Sequence, residues 1–356
     1  DEALKNSIIY NVSEPDGDIN SSIKIMNGII NENLNKSRSF QRPLYNNGFY
    51  FNDLGIIFFL EIPEYIFSPY RYKAYFKQHL QVTQEKEDYK KAEELYDRAD
   101  SLLGFGLKEL CFRGNQEELT ESKNAQPAIL LHSYTLFNEI KKKVEFQAVA
   151  GHSLGEYTAH LAAGTFDFDD ALHLVRFRGE LMSSTENGTM SAVLGLDVEK
   201  IKKVIDDIRG TVVIANYNTP EQTVISGKIE AVKSTGNKLK EEGAKIIPLN
   251  VSGAFHSPLM ENIFDPFKKV LMKTDIKKPY VPVYSNVTAE KTEKPEDIRR
   301  LLGEQVIKPV KWVEILRNMQ RDGIDNFIEI GSGKVLSRMV QKTLDNVSSM
   351  NISTSE

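Results

Sequence analysis

The stretch Ala148-Val149-Ala150-Gly151-His152-Ser153-Leu154-Gly155-Glu156-Tyr157 decides how this 356-residue chain is read. The apolar run from Phe146 to Ala150 predicts a buried strand, and from Glu156 onward the signals are helical. Between them stands Gly-His-Ser-Leu-Gly, the strand–turn–helix pattern of a nucleophile elbow. Gly151 and Gly155 carry no Cβ, so the turn can be sharp enough to push Ser153 out at the end of its strand. The N–H of Leu154, at the start of the helix, would then face an oxyanion on an acyl group attached to Ser153.

Outward from this point the chain alternates. Strands are expected at Ile56–Leu60 and at the elbow, with helices at Tyr89–Leu103, Pro127–Lys141 and Phe168–Ser183. That rhythm indicates a mainly parallel α/β sheet. From residue 188 it changes: strand Met190–Leu194, helix Val198–Ile208, strand Thr211–Ala215, a turn-rich Asn216-Tyr217-Asn218-Thr219-Pro220, strand Gln222–Ser226, helix Ile229–Glu242 and strand Lys245–Val251. This is a β-α-β-β-α-β order. Helix Pro258–Met272, strand Val281–Tyr284, helices Glu296–Gln305 and Trp312–Asp322, strand Asn326–Ile330 and a helix from Lys334 follow. The expected fold is a large α/β-hydrolase-like domain with a mainly parallel sheet (residues 56–187 and 253–345) carrying an inserted ferredoxin-like domain (188–252). Residues 1–55, rich in Asn, Ser and Lys, are expected to be a disordered or targeting-like leader, and 346–356 a tail. The leader suggests an organelle of plastid type, with a cytoplasmic location as the alternative.

Composition narrows the classes. Hydrophobic residues at 40% and charged residues at 27% are ordinary for a globular chain, and a net charge of −5 gives no case for nucleic-acid binding. The single cysteine, Cys111, excludes an internal disulfide and a cysteine-rich metal site; among Leu110 and Phe112 it is expected to be buried. No apolar run approaches the roughly 20 residues of a membrane span. No metal or cofactor is implied.

A serine hydroxyl needs a base. His152 adjoins Ser153, but consecutive side chains in a tight turn diverge. His79, His132, His160 and His173 lie in or beside helical stretches. His256 alone follows a strand through a short loop, where open α/β sheets place their chemistry, and is the candidate base. Helix Phe168–Ser183 carries Arg176 and Arg178 between apolar residues; either could snorkel or form an ion pair, or one could bind a substrate carboxylate. Residue patterns alone leave that choice open.

Gly-His-Ser-Leu-Gly-Glu-Tyr (151–157), Arg-Phe-Arg-Gly-Glu-Leu-Met (176–182), Gly-Ala-Phe-His-Ser-Pro-Leu-Met (253–260) and Gly-Ser-Gly-Lys-Val-Leu (331–336), in that order and spacing, resemble malonyl-CoA:acyl carrier protein transacylases over about residues 88–345. Asn124–Ala128 and Val212–Gly227 extend the resemblance. It implies Ser153 as the acylated nucleophile, His256 as its base and Arg178 as the ligand of the malonyl carboxylate. It further implies that the main-chain carbonyl of Gln305 orients His256, that Gln126 and Met182 lie at the substrate, and that Phe255 goes with malonyl rather than branched acyl units. Malonyl-CoA and an acidic acyl carrier protein are the implied partners, and a free-standing monomer is expected. Lys308, Lys311 and Arg317 are candidates for a basic rim that meets the carrier.

One departure stands out. The family's first strand ends in a glycine-glutamine-glycine turn that supplies half the oxyanion hole, whereas here Glu61-Ile62-Pro63-Glu64-Tyr65-Ile66-Phe67-Ser68 follows. Loss of one donor costs about 3–4 kcal/mol of barrier. Either residues 61–87 supply another donor, or the sequence is altered in this segment, or activity is low. Two other functions compete: a serine esterase or thioesterase, which normally needs an acidic residue between nucleophile and histidine, and a catalytically impaired carrier-protein binder.

Overall fold

The computed structural model describes residues 55–59, 86–142, 144–251 and 253–353. The expected leader before Gly55, the departure at residues 61–85 and His79 lie outside the described residues. In chain order the elements are β1 (Gly55–Phe59), α1 (Lys86–Leu103), α2 (Leu107–Arg113), α3 (Gln116–Thr120), α4 (Ser122–Ile140), β2 (Phe146–Gly151), α5 (Leu154–Ala162) and α6 (Phe168–Ser183). Then come β3 (Gly188–Leu194), α7 (Val198–Asp206), β4 (Val212–Thr219), β5 (Gln222–Lys228), α8 (Ile229–Glu241) and β6 (Lys245–Pro248). A 3₁₀ turn at Pro258–Met260 leads into α9 (Glu261–Leu271), β7 (Val283–Tyr284), β8 (Lys291–Thr292), α10 (Pro295–Glu304), α11 (Trp312–Arg321), β9 (Asn326–Ile330), α12 (Val335–Thr343) and β10 (Ser348–Ile352).

Two sheets organise these elements. The six-stranded sheet runs β10-β9-β1-β2-β7-β8 and is parallel except at the β7–β8 edge. Ala148, Val149 and Ala150 of β2 are all buried, as a strand covered on both faces requires. The four-stranded sheet is antiparallel in the order β4-β5-β3-β6. Its side chains alternate. Met190, Ala192, Ala215 and Val224 join the core cluster that contains Leu154, Tyr157 and Phe255. Val193, Val212, Ile214 and Ile225 pack instead with Ile201 of α7 and Val232 and Leu239 of α8.

The structure corrects the sequence expectations at several points. The helix expected from Pro127 begins at Ser122, with Pro127 inside it. Pro127 cannot donate to the Lys123 carbonyl, and Arg176 Nη1 takes that oxygen instead at 2.9 Å. The turn expected at 216–220 is mostly strand. β4 runs to Thr219 with irregularities at Ile214/Asn216 and Tyr217/Thr219, because Asn216 and Asn218 are buried and the Tyr217 N–H donates to Val310 O at 2.9 Å. Polar side chains that read as turn signals serve there as buried hydrogen-bonding groups. The strand expected to reach Val251 ends at Pro248, and the helix expected over 258–272 opens as a 3₁₀ turn. The expected tail contains β10, whose polar Ser-Ser-Met-Asn-Ile makes an edge strand too hydrophilic to show as an apolar run.

Candidate active site

The elbow is built by close approach of backbone. A Cβ on Gly151 would lie 1.9 Å from the carbonyl of Gly155, so only glycine lets β2 pass so near the start of α5. Ser153, at φ 54° and ψ −105°, occupies the left-handed half of backbone space, which costs a non-glycine residue about 1–3 kcal/mol. Asn286, just beyond β7, clamps the strained turn on both sides. Its Oδ1 accepts from Ser153 N at 2.7 Å and its Nδ2 donates to Gly151 O at 2.7 Å. The His152 ring departs in another direction. Its Nε2 meets Asn218 Oδ1 of β4 at 2.9 Å, and its ring makes a T-shaped contact with Trp312.

His256 arrives from the other sheet, at the end of the loop that leaves β6, and it too has a positive φ, 57°. Its Nε2 stands 2.8 Å from Ser153 Oγ, although 103 residues separate the two in the chain. Its Nδ1 lies 2.8 Å from Gln305 O and 3.2 Å from Lys308 O. Two carbonyls at Nδ1 require the proton there, which leaves the Nε2 lone pair to accept from Ser153. Burial, reinforced by the Arg178 charge, pushes the imidazole down to about 3, so it is a neutral base at ordinary pH. Its hydrogen-bond partners among the described residues are Ser153 and the carbonyls of Gln305 and Lys308, none of them an acid.

The two arginines of α6 part company. Arg176 is half-buried and bonds Glu180, Lys123 O and Asn124. Arg178 is fully buried: Nη1 donates to Gln126 Oε1 at 2.9 Å, and Nη2 donates to Ser153 Oγ at 3.0 Å and to Gln305 Oε1 at 3.1 Å. Its Cζ lies 5.3 Å from the Tyr157 ring centroid. Its Nε is buried without a hydrogen-bond partner among the described residues. Gln126 is itself held by a 3.3 Å contact from Nε2 to Met182 Sδ. Gln305 donates from Nε2 to Ser153 O at 2.9 Å and to Glu156 Oε2 at 2.5 Å. The opposite oxygen of Glu156 accepts from Asn286 N at 3.2 Å, closing the network around the elbow.

Ser153, His256, Arg178, Gln126, Gln305 and Met182 are therefore brought together by hydrogen bonds, with Leu154 as the first residue of α5. Phe255 is buried and lines a cleft of about 490 Å³ with Glu121, Lys123, Ser183 and Val251. His132 and His160 are buried, His160 against Thr165 with burial pushing it down to about 3, and His173 is exposed. Cys111 is buried. No group of residues suited to a metal ion occurs among the described residues, and no described helix is long and apolar enough to cross a membrane. Sequence reasoning passed over Glu156, Asn218 and Asn286. An acid between Leu154 and Tyr157, and an asparagine just past a parallel strand's C-terminal end, were the available signals.

A nucleophilic serine shared between a neutral imidazole and a buried guanidinium is equipment for acyl transfer through a covalent ester. A model of the acyl transferase domain family matches residues 87–355, and the chain belongs to that family. It is 44% identical to the malonyl CoA-acyl carrier protein transacylase of Bacillus subtilis (strain 168) across 70% of this chain and 82% of that protein. Among solved structures it resembles the acyl carrier protein S-malonyltransferase of Vibrio cholerae O1 biovar eltor (TM-score 0.75, 31% identity, 84% of this chain and 96% of that one). It also resembles a type II polyketide malonyl-transacylase in complex with its holo acyl carrier protein (TM-score 0.77, 30% identity, 84% and 96% covered).

Proposed function

We propose that this chain transfers a malonyl group from malonyl-CoA to the phosphopantetheine thiol of an acyl carrier protein, the malonyl transfer of fatty acid synthesis, through a malonyl ester on Ser153. His256 Nε2 takes the Ser153 proton as Oγ attacks the thioester carbonyl. The N–H of Leu154, at the positive end of α5, supports the oxyanion. Collapse expels the coenzyme A thiolate, which recovers the proton from His256. The carrier thiol then repeats the steps in reverse, so atoms and protons balance over the cycle.

The observation that carries the diacid reading is Arg178, a buried guanidinium on the nucleophile whose Nε lacks a partner among the described residues. A substrate carboxylate would satisfy it, whereas an acetyl group would leave it orphaned. Gln126, braced by Met182, aims the guanidinium, and the Phe255 ring limits space for branched acyl groups. Ser153 and His256 are each 4% exposed, which favours a delivered thiol over bulk water. Carbonyls rather than a carboxylate on His256 Nδ1 argue against a hydrolase triad.

The proposed architecture is a hydrolase-like large domain with residues 188–252 as a ferredoxin-like insertion; the strand order β4-β5-β3-β6 and the separate apolar cluster under α7 and α8 support it. The protein is proposed to act as a monomer. Exposed Lys308 and Arg317 offer cations to an acidic carrier, while Lys311 is half-buried beside Glu314 at 3.7 Å.

Intact-mass measurement after mixing with malonyl-CoA tests the reading. A malonyl adduct is expected, absent in Ser153→Ala. Arg178→Ala should lower malonyl labelling by roughly 30-fold or more, the effect of removing one partner of a buried charge pair. Labelling by acetyl-CoA as fast as by malonyl-CoA would remove the role given to Arg178, and no adduct at all would favour a carrier-binding homologue without catalysis.

A further inference from the structure

We infer that Glu156 is a positioning residue for this transfer: its carboxylate holds the Gln305 side chain in the one orientation that lets Gln305 serve His256, Ser153 and Arg178 together. The inference rests on the acyl-serine reading above. Glu156 is 1% exposed, one turn into α5 from the nucleophile. Both of its oxygens face donors, Gln305 Nε2 at 2.5 Å and Asn286 N at 3.2 Å. The ionised form accepts fully at both oxygens, whereas a protonated carboxyl turns one of them into a donor and a weaker acceptor.

Gln305 is the joint of the site. Its amide nitrogen serves Glu156 and Ser153 O, its amide oxygen serves Arg178, and its main-chain carbonyl orients His256. With the amide turned over, an NH₂ would confront the guanidinium and an oxygen would confront the carboxylate. The negative charge on Glu156 therefore sets which end of the amide Arg178 meets. It also places an anion one amide away from a buried cation that has no carboxylate within ion-pair distance among the described residues. On the other side, Asn286 joins Glu156 to the clamp on the elbow.

A glutamate serving only as a helix residue would be solvated. Here burial pushes its carboxyl up to about 7, against the opposing hydrogen bonds from Gln305, Asn286 and Ser285 and the charge of Arg178. The groups facing it are Arg178 from α6, Gln305 after α10, Ser285 and Asn286 after β7, and His256 beyond Gln305. His256, at about 3, stays neutral across the range where Glu156 titrates. A substrate carboxylate titrates near about 4.

The decisive measurement is the rate of Ser153 malonylation, without carrier, by rapid quench and intact mass from about pH 5 to 9. The wild-type rate should fall as pH drops through about 7, because protonated Glu156 turns one acceptor into a donor and loosens its hold on Gln305. Glu156→Gln should lose that acid limb and run about 10–100-fold slower at high pH, the scale of a small misplacement of reacting groups. Glu156→Asp should retain a limb and part of the rate. A wild-type profile flat through pH 7, or a Gln variant with the wild-type rate and limb, overturns the inference while leaving the acyl-serine reading intact. If Glu156→Gln does not fold, the wild-type profile and the Asp variant decide. Absence of any malonyl adduct in the wild type overturns both.

Discussion

The two sheets contribute to the site in different ways. The six-stranded parallel sheet holds the nucleophile by backbone: Gly151 and Gly155 in near contact, Ser153 forced to φ 54°, and Asn286 bridging the turn. Little there can adjust. The four-stranded sheet supplies the base through a loop, and His256 is aimed by two carbonyls of the 305–308 segment rather than by its own strand. Just beyond that segment, at Val310, the chain is tied back to the small sheet. Val310 N donates to Ala215 O at 2.8 Å and Tyr217 N donates to Val310 O at 2.9 Å, while His152 reaches Asn218. A strained turn stores the nucleophile's geometry locally, whereas the base is positioned by cross-links between sheets.

This contrast can be broken from either side. The largest effect is expected from Gly151→Ala. Its Cβ would meet Gly155 backbone at 1.9 Å, so destabilisation above about 4 kcal/mol should follow, read as loss of the cooperative unfolding transition and of all acylation. Asn218→Ala removes the amide oxygen that meets His152 Nε2 and leaves the elbow glycines in place. About 1–3 kcal/mol of stability should be lost in chemical unfolding, together with a several-fold fall in Ser153 acylation. An unchanged acylation rate in that variant would mean that the sheets hold the dyad without the cross-link. The smallest effect is expected from Arg317→Glu, an exposed position with no bond to the dyad. Acylation by malonyl-CoA should be normal, but transfer to an acidic carrier should slow several-fold at low salt and recover at high salt.

Where the sequence could be read, local rules governed the outcome. The elbow follows from two glycines around a serine between an apolar run and a helix. The alternation of residues 188–248 gave the small sheet's strands, except where Asn216 and Asn218 imitate a turn. A polar edge strand such as β10 has too few apolar residues to announce itself. The choice between Arg176 and Arg178 could not be made from a shared helix, since two positions separated by about 200° look alike until one face meets the core. Arg176 is drawn outward by Glu180 and the carbonyl that Pro127 frees, and Arg178 lies inward on Ser153.

By itself the sequence determined which residue could stand at the apex of a strained turn, because glycine spacing and apolar periodicity act over a few residues and need no distant partner. Tertiary structure alone decided what that serine touches. Asn286 lies 133 positions from Ser153, and Gln305 lies 149 from Glu156, so neither contact leaves a local pattern. Hydrogen bonds across such distances come from how the two sheets and the 305–311 segment pack. A buried glutamate between a glycine and a tyrosine shows its role only once its distant donors are in place.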